Sequence, residues 1–321
     1  MMLPKSKAIL RTVLVLLTTP TVLAVGQSST LPESANPGIA KIAEFTAREH
    51  STILFTLGGT LLGYAKDGSV KFIHSPQNIK CQYPRSALSH DGLHIAFVSE
   101  SDANEGCRIV VYDLSTGARR TLVEIPDDPG EMVWSWDDSD IAFLKHGISS
   151  VSVKDGSKKT LAIPIGDLEG KLLFITVGNT IQGLHKGEAF VAELNAGIPE
   201  KRPGVYKPQY EVFVVRDGDV HSLGFGHSPA VSPISNQIAY YSREGIVAIN
   251  SDGTGRVVLS RQPLIGGFPN RGIVWSPDGS RLLCGALESE NGNDSVYMVD
   301  VKSGHRERFL SHTSIMIKGW N

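Results

Sequence analysis

The stretch Trp275-Ser276-Pro277-Asp278-Gly279, followed by the apolar run Arg281 to Ala286, decides how the rest of the chain is read. Proline presets φ at one turn position and glycine accepts the left-handed one, so these five residues make a tight turn that feeds a short strand. Weaker copies stand upstream, at Leu88-Ser89-His90-Asp91-Gly92, Trp134-Ser135-Trp136-Asp137-Asp138 and Val231-Ser232-Pro233-Ile234-Ser235. Each leads into a similar strand: His94 to Val98, Asp140 to Leu144 and Gln237 to Tyr241.

A second motif, a β-run, one or two polar residues, glycine and another β-run, recurs at Lys66-Asp67-Gly68, Ser115-Thr116-Gly117, Lys154-Asp155-Gly156, Arg216-Asp217-Gly218, Ser251-Asp252-Gly253 and Lys302-Ser303-Gly304. The glycines are 49, 39, 62, 35 and 51 residues apart. Their mean spacing of about 47 suits a unit of four short strands with variable loops.

Turn, strand and hairpin together resemble the TolB-type β-propeller repeat, over about residues 50 to 321. The resemblance implies an all-β, six-bladed propeller of four-stranded antiparallel blades. Blade two is expected over Ser86 to Ile125, blade three over Met132 to Ile163, blade four over Leu172 to Gly224, blade five over Ala230 to Ser260 and blade six over Gly272 to Leu310. Blade four departs from the pattern, with no such turn after Leu172 to Val177 and a long loop from Asn195 to Gln209. Blade one, with strands at Thr52 to Thr56, Leu61 to Tyr64 and Val70 to Ile73, lacks an innermost strand. The C-terminus offers an unclaimed one, Ser314 to Trp320, in which Trp320 falls where Trp134 and Trp275 fall in their blades. The C-terminal strand is therefore expected to enter blade one and close the ring, which removes exposed strand edges.

Upstream of the repeats, Lys5, Lys7 and Arg11 precede an apolar run that begins at Thr12 and closes on small residues near Ala24, which reads as a secretory signal peptide over residues 1–24. Residues 25–49 read as a linker followed by a short helix from Ile39 to Glu49, with apolar spacing through Ile42 and Phe45 that would let it dock. The 321 residues carry 31 Lys+Arg against 33 Asp+Glu, 41% hydrophobic and 20% charged residues, with 33 glycines and 17 prolines. That composition excludes wholesale disorder and a polybasic binder of nucleic acid or membrane surfaces. Cleavage after Ala24 would leave 28 basic against 33 acidic residues, a net charge of about −5. The expectation is a periplasmic or secreted protein with no membrane span after signal cleavage, whose partner is an envelope or extracellular protein or a polar ligand.

Antiparallel strand order puts the second-to-third loops and the blade connections on one rim. Residues just before each inner strand point there: Tyr83, Arg85, Glu131, Lys171, His227, Asn270 and Arg271, a mixture suited to a polar ligand or to lining a wet pore. Cys81 and Cys107 lie on that rim of one blade, and in an oxidising compartment they are expected to pair. Such a bond would be worth roughly 3 kcal/mol in the chain-entropy model. Cys284, in an apolar strand, reads as a buried inert thiol. The acidic loops Ser101 to Gly106 and Glu288 to Asp294 read as solvated hairpin tips and lack calcium-loop spacing.

Catalytic motifs are sparse. There is no HExxH, no CxxC and no GxSxG. The sequence therefore favours an exported non-catalytic binding or scaffold protein that needs no cofactor. The alternative is a propeller enzyme, a metal-assisted polysaccharide lyase or hydrolase, for which His74, His221, His227 and His312 lie in or near the blade connections. Convergence of these histidines would favour the enzyme, and scatter would favour binding.

Overall fold

The computed structural model describes residues 37–75, 85–101, 106–126, 128–144, 148–161, 181–183, 190–195, 198–199, 206–207, 210–216, 219–261, 272–287, 294–311 and 314–321. The expected signal peptide and the linker before residue 37 lie outside them. The described strands form six four-stranded antiparallel sheets and a two-stranded ribbon. The protein is an all-β propeller.

We number the sheets along the chain. Sheet 1 orders Ile315–Trp320, Ile53–Leu57, Thr60–Tyr64 and Val70–His74, so its innermost strand comes from the C-terminus and pairs antiparallel with Ile53–Leu57. Sheet 2 runs Ser86–Leu88, His94–Glu100, Cys107–Asp113, Arg119–Ile125, and sheet 3 runs Met132–Trp134, Asp140–Leu144, Ile148–Ser152, Lys158–Leu161. Sheet 4 consists of Ile181–Gly183, Phe190–Asn195, Tyr210–Arg216 and Asp219–Phe225. Sheet 5 consists of His227–Val231, Gln237–Ser242, Gly245–Asn250 and Val257–Ser260, and sheet 6 of Ile273–Trp275, Arg281–Leu287, Asp294–Asp300 and Arg306–Leu310. Each innermost strand lies beside that of the next sheet, from 86–88 through 132–134, 181–183, 227–231 and 273–275 to 315–320, which lies in turn beside 86–88.

The fourth sheet differs most from the sequence expectation. Its first strand is Ile181–Gly183, whereas the expected strand Leu172 to Val177 lies outside the described residues. The expected loop from Asn195 to Gln209 contains the ribbon Ile198–Pro199 paired with Tyr206–Lys207.

Local side-chain chemistry explains the turns. In the turn of sheet 6, Ser276 Oγ donates to Asp278 Oδ1 at 2.5 Å and accepts the backbone N–H of Arg281 at 2.9 Å, while Asp278 accepts the N–H of Ser280 at 3.0 Å. Ser89 with Asp91, and Ser135 with Asp137, repeat the arrangement. One serine and one aspartate thus satisfy the backbone where the chain leaves the inner strand. The outer hairpins use aspartate alone, as when Asp113 accepts from Ser115 and Thr116. These bonds favour the carboxylate form. The Ser115 hydroxyl leads in holding Asp113 at about 2, and the Ser139 hydroxyl does the same for Asp137.

Hairpin tips also tuck against the preceding sheet. Gly156 has φ +72, and a Cβ there would sit 2.6 Å from the Leu122 carbonyl oxygen; at Gly304, φ +69, the clash would be 2.4 Å from Leu259 O. Only glycine meets both demands.

Apolar side chains fill the spaces between successive sheets. Leu54, Leu61 and Ile73 meet Ile95, Phe97 and Val110 between sheets 1 and 2, and Val98, Ile109 and Val111 meet Trp134, Ile141 and Phe143 between sheets 2 and 3. Val212, Val214 and Leu223 pack on Ile238, Tyr240 and Val247, and Ala239, Tyr241 and Ile246 on Trp275, Leu282 and Val299.

One helix, Pro37–Glu49, buries Ile39, Ile42, Phe45 and Thr46 along one face. It starts two residues earlier than the spacing predicts, on Pro37, whose fixed φ suits a first helical turn. Its Phe45 ring lies edge-on to Phe309 at 4.8 Å and to Trp320 at 5.2 Å, and Glu49 Oε2 accepts from Arg281 Nη2 at 2.6 Å. No helix among the described residues is long and apolar enough to cross a membrane.

Candidate functional site

The innermost strands leave a central cavity of about 360 Å³. Its walls come from residues 86–90, 131–134, 136, 228–233, 272–275, 277 and 317–321, which belong to the inner strands of five sheets and the residues flanking them. Where a turn follows, its second residue reaches the cavity: His90, Trp136, Pro233 and Pro277. Trp136 is 43% exposed, and the His90 ring packs edge-on to it at 5.3 Å. His90 Nδ1 lies 2.9 Å from Asp138 Oδ1, whose carboxylate also accepts the backbone N–H groups of His90 and Asp91. This aromatic mouth stands on the rim opposite the one the sequence singles out. The signal for it was the tryptophan at 136, in a turn position where other copies carry histidine or proline.

Of the seven residues named from sequence, Tyr83, Lys171, Asn270 and Arg271 lie outside the described residues. Arg85 and Glu131 are brought together. Arg85, 3% exposed, donates from Nη1 to Glu131 Oε1 at 2.5 Å, and its Nε lies 3.6 Å from Asp128 Oδ2. Glu131 also lines the cavity.

His227 goes elsewhere. Its ring stacks on Tyr241 at 5.1 Å and stands edge-on to Tyr210 at 6.1 Å, with Nδ1 3.2 Å from Ser228 Oγ. Desolvation in that aromatic packing pushes it down to about 4.

Sequence reasoning missed Lys318. It lines the cavity from the C-terminal strand and is half-buried. Burial lowers its ammonium from the usual lysine range, the attraction of Glu131 opposes that shift, and the repulsion of Arg85 adds to it.

The remaining histidines do not converge. His74 is buried against Phe97, 3.4 Å from Glu100, and burial lowers it; His221 is exposed on an outer strand; His312 lies outside the described residues. Among the described residues no group of three or more His, Cys, Asp or Glu is placed to hold a metal ion. Cys107 is disulfide-bonded, Cys81 lies outside the described residues, and Cys284 is free and buried, its thiol pushed up by desolvation.

The chain resembles Tol-Pal system protein TolB of Xanthomonas campestris pv. campestris strain B100, with 30% identity over 144 residues, 35% of this chain and 31% of the relative. The TolB of Xanthomonas oryzae pv. oryzae strain MAFF 311018 is 29% identical over 154 residues, 38% of this chain and 32% of the relative. The crystal structure of TolB from Acinetobacter baumannii superposes with a TM-score of 0.59 at 16% identity, covering 84% of this chain and 66% of that one. The chain is a TolB-like β-propeller. The aligned segment spans about a third of the length of the curated relatives it matches. A chain in a nidogen/laminin complex superposes with a TM-score of 0.55 at 14% identity over 84% of this chain and 97% of that one, a likeness of fold alone. No family profile matches the sequence.

Proposed function

We propose that this TolB-like propeller is an exported, non-catalytic binding or scaffold protein that holds a protein segment or polar ligand at its channel mouth. Each four-stranded sheet is then one blade, six in all, and the C-terminal strand closes the ring. The pairing of Ile315–Trp320 with Ile53–Leu57 supports that reading. Export to the periplasm or beyond follows from the signal-like residues 1–24, and the Cys81–Cys107 disulfide belongs to the same proposal.

The observation that carries the reading is the central cavity, with polar groups at one end and the exposed Trp136 at the other. Concave sites with a few convergent polar groups are the usual ligand sites of proteins, and exposed aromatic side chains are enriched where proteins bind. Of the seven residues, Tyr83, Arg85, Glu131, Lys171, Asn270 and Arg271 are retained as candidates for the second rim, with Arg85 and Glu131 foremost because they meet, while His227 is enclosed by Tyr210 and Tyr241.

Photo-crosslinking tests this. A benzophenone side chain is placed at Trp136, and separately at exposed Thr121 on the outermost strand of sheet 2, and each protein is illuminated in envelope extract. Adducts from position 136 and none from 121 are expected; equal labelling, or none at 136, contradicts the reading.

A further inference from the structure

Among the described residues three that are not glycine have positive φ, and two of them stand at the central cavity. His50, φ 50, follows the helix, where a left-handed residue is an ordinary cap. Ser228, φ 54, lines the cavity, and Asp138, φ 56, holds the residues of its mouth. Strain of this kind persists where the surroundings over-determine it, and it gathers at ligand sites. Asp138 takes the place that glycine holds in the matching turns, Gly92 in sheet 2 and Gly279 in sheet 6, at φ +71 and +68. Its side chain gives a reason for the exchange. The carboxylate crosses to the turn of sheet 2, where Oδ1 accepts the His90 N–H at 3.0 Å and lies 2.9 Å from His90 Nδ1, and Oδ2 accepts the Asp91 N–H at 3.1 Å. The two turns are thereby tied, and with them the His90 ring and the Trp136 indole that it meets edge-on. Trp134, Trp275 and Trp320 also border the cavity but are buried, whereas Trp136 is 43% exposed. An exposed indole fixed in this way is a preorganised platform.

Charge in the cavity is balanced. Arg85 engages Glu131 at 2.5 Å and lies 3.6 Å from Asp128. Lys318 enters as the extra residue of a β-bulge, where Leu54 pairs with Gly319 and Phe55 with Ile317, and it lies within reach of the Glu131 charge. Two cations stand against two carboxylates, so no net field favours an ionic ligand over a neutral one. The wall mixes the hydroxyl and amide groups of Ser228, Ser232 and Asn321 with the aliphatic Ala87, Val133 and Val274. A ligand matched to that wall is neutral, rich in hydrogen-bonding groups, and carries one apolar face for the indole. A pyranose ring has that constitution, with C–H groups on a face, which the negative π face of an indole attracts, and hydroxyls around its edge. A volume of about 360 Å³, toward the small end of ordinary small-molecule sites, suits a short saccharide.

We propose that the channel mouth binds a neutral saccharide, one sugar ring stacked on Trp136 with its hydroxyls toward His90 and the cavity wall, and that Asp138 is the positioning residue of this platform. This rests on the binding reading above and names the ligand chemistry for it. A free oligosaccharide and the terminal sugars of an envelope glycan both present that chemistry.

The test is to probe an array of neutral, acidic and amino glycans with the purified full chain and to titrate each hit, as free saccharide and as immobilised glycan, by calorimetry and surface binding. Saturable binding of neutral glycans, little changed by added salt, is expected. Trp136→Ala should weaken it by about tenfold or more while keeping the thermal transition. Asp138→Gly removes the tie while glycine accepts the left-handed backbone, so weaker binding with an undiminished thermal transition is expected, a split that a purely structural role would not give. Binding of immobilised glycans without the free sugars would support the site and assign its source to envelope glycan. No binding of any neutral glycan, a preference for charged glycans, or undiminished binding to a folded Trp136→Ala protein would overturn the proposal, and undiminished binding to Asp138→Gly would overturn the role of Asp138. The wild-type comparison of neutral with charged glycans decides even if a variant does not fold. Crosslinks at position 136 without saccharide binding would sink this inference alone, whereas saccharide binding without crosslinks to protein would sink the protein-segment form of the broader reading.

Discussion

The junction between sheets 2 and 3 and the junction between sheets 6 and 1 solve one problem by different means. Where the chain passes continuously from sheet 2 to sheet 3, Trp134 Nε1 donates to Ala87 O at 2.9 Å and ties one inner strand to the next. Trp275 does the same to Ala230 O, also at 2.9 Å, between sheets 5 and 6. Trp320 occupies the matching place in sheet 1, yet its indole donates to Ser51 Oγ at 3.1 Å, just before the strand Ile53–Leu57. It secures the C-terminal strand to the segment that leads into Ile53–Leu57. Asn321 N–H donates to Thr52 O at 2.8 Å, the Thr52 N–H donates back to Asn321 O, and Asn321 Nδ2 reaches Ser89 O at 2.9 Å in the next sheet.

Sheet 6 packs directly on the C-terminal strand, and the helix adds a second tie between them. Phe45 sits between Phe309 of sheet 6 and Trp320 of sheet 1, the Arg281 guanidinium lies 5.2 Å from the Trp320 ring centroid, and Glu49 holds Arg281. A junction whose partners are distant in sequence carries a larger loop-closure cost than one inside a continuous run. An added helix that buries an aromatic across it offsets that cost.

The comparison can be sharpened at the helix first. Phe45→Ala removes a fully packed ring and should destabilise the protein by about 3 kcal/mol, the low end for such truncations. Hydrogen exchange should rise in 315–320 and 306–310 more than in sheets 2 and 3. Uniform acceleration would mean that the helix does not act on this seam.

A smaller effect separates the junction of sheets 4 and 5, where His227 lies between Tyr210 and Tyr241. Its folded-state pKa of about 4 is below the unfolded value near 6.5, so between these values the unfolded chain binds the extra proton. Stability at neutral pH should fall as pH drops from about 6.5 to about 4, by roughly 2–3 kcal/mol. His227→Gln should flatten that part of the pH profile of chemical denaturation; an unchanged slope would place the acid-sensitive group elsewhere.

The sequence discloses features whose cause is local. The Ser-x-Asp turns and the Asp-Gly hairpins make their bonds within a few residues, so sheet 2 falls within its expected bounds and sheets 3 and 6 nearly so. The C-terminal strand stands out because Trp320 matches Trp134 and Trp275. Features set by distant partners stay hidden. Arg85 and Glu131 each qualify as candidates alone, but their pairing across 46 positions is a product of sheet packing. The bulge at Lys318 depends on register against Leu54 and Phe55, and Met316 to Gly319 reads as ordinary strand. His227 looks like a rim residue until Tyr210 and Tyr241, from two sheets, enclose it.

Everything proposed for the channel depends on the C-terminal strand, which supplies both the pairing in sheet 1 and Lys318. The most direct measurement is the thermal unfolding of the chain lacking Ile315 to Asn321. The account predicts loss of the cooperative transition, since removal would strip the inner face from Ile53–Leu57 and the packing from Phe45, most of the ~5–15 kcal/mol that holds a typical domain. A truncated protein that melts as the full chain does would contradict it.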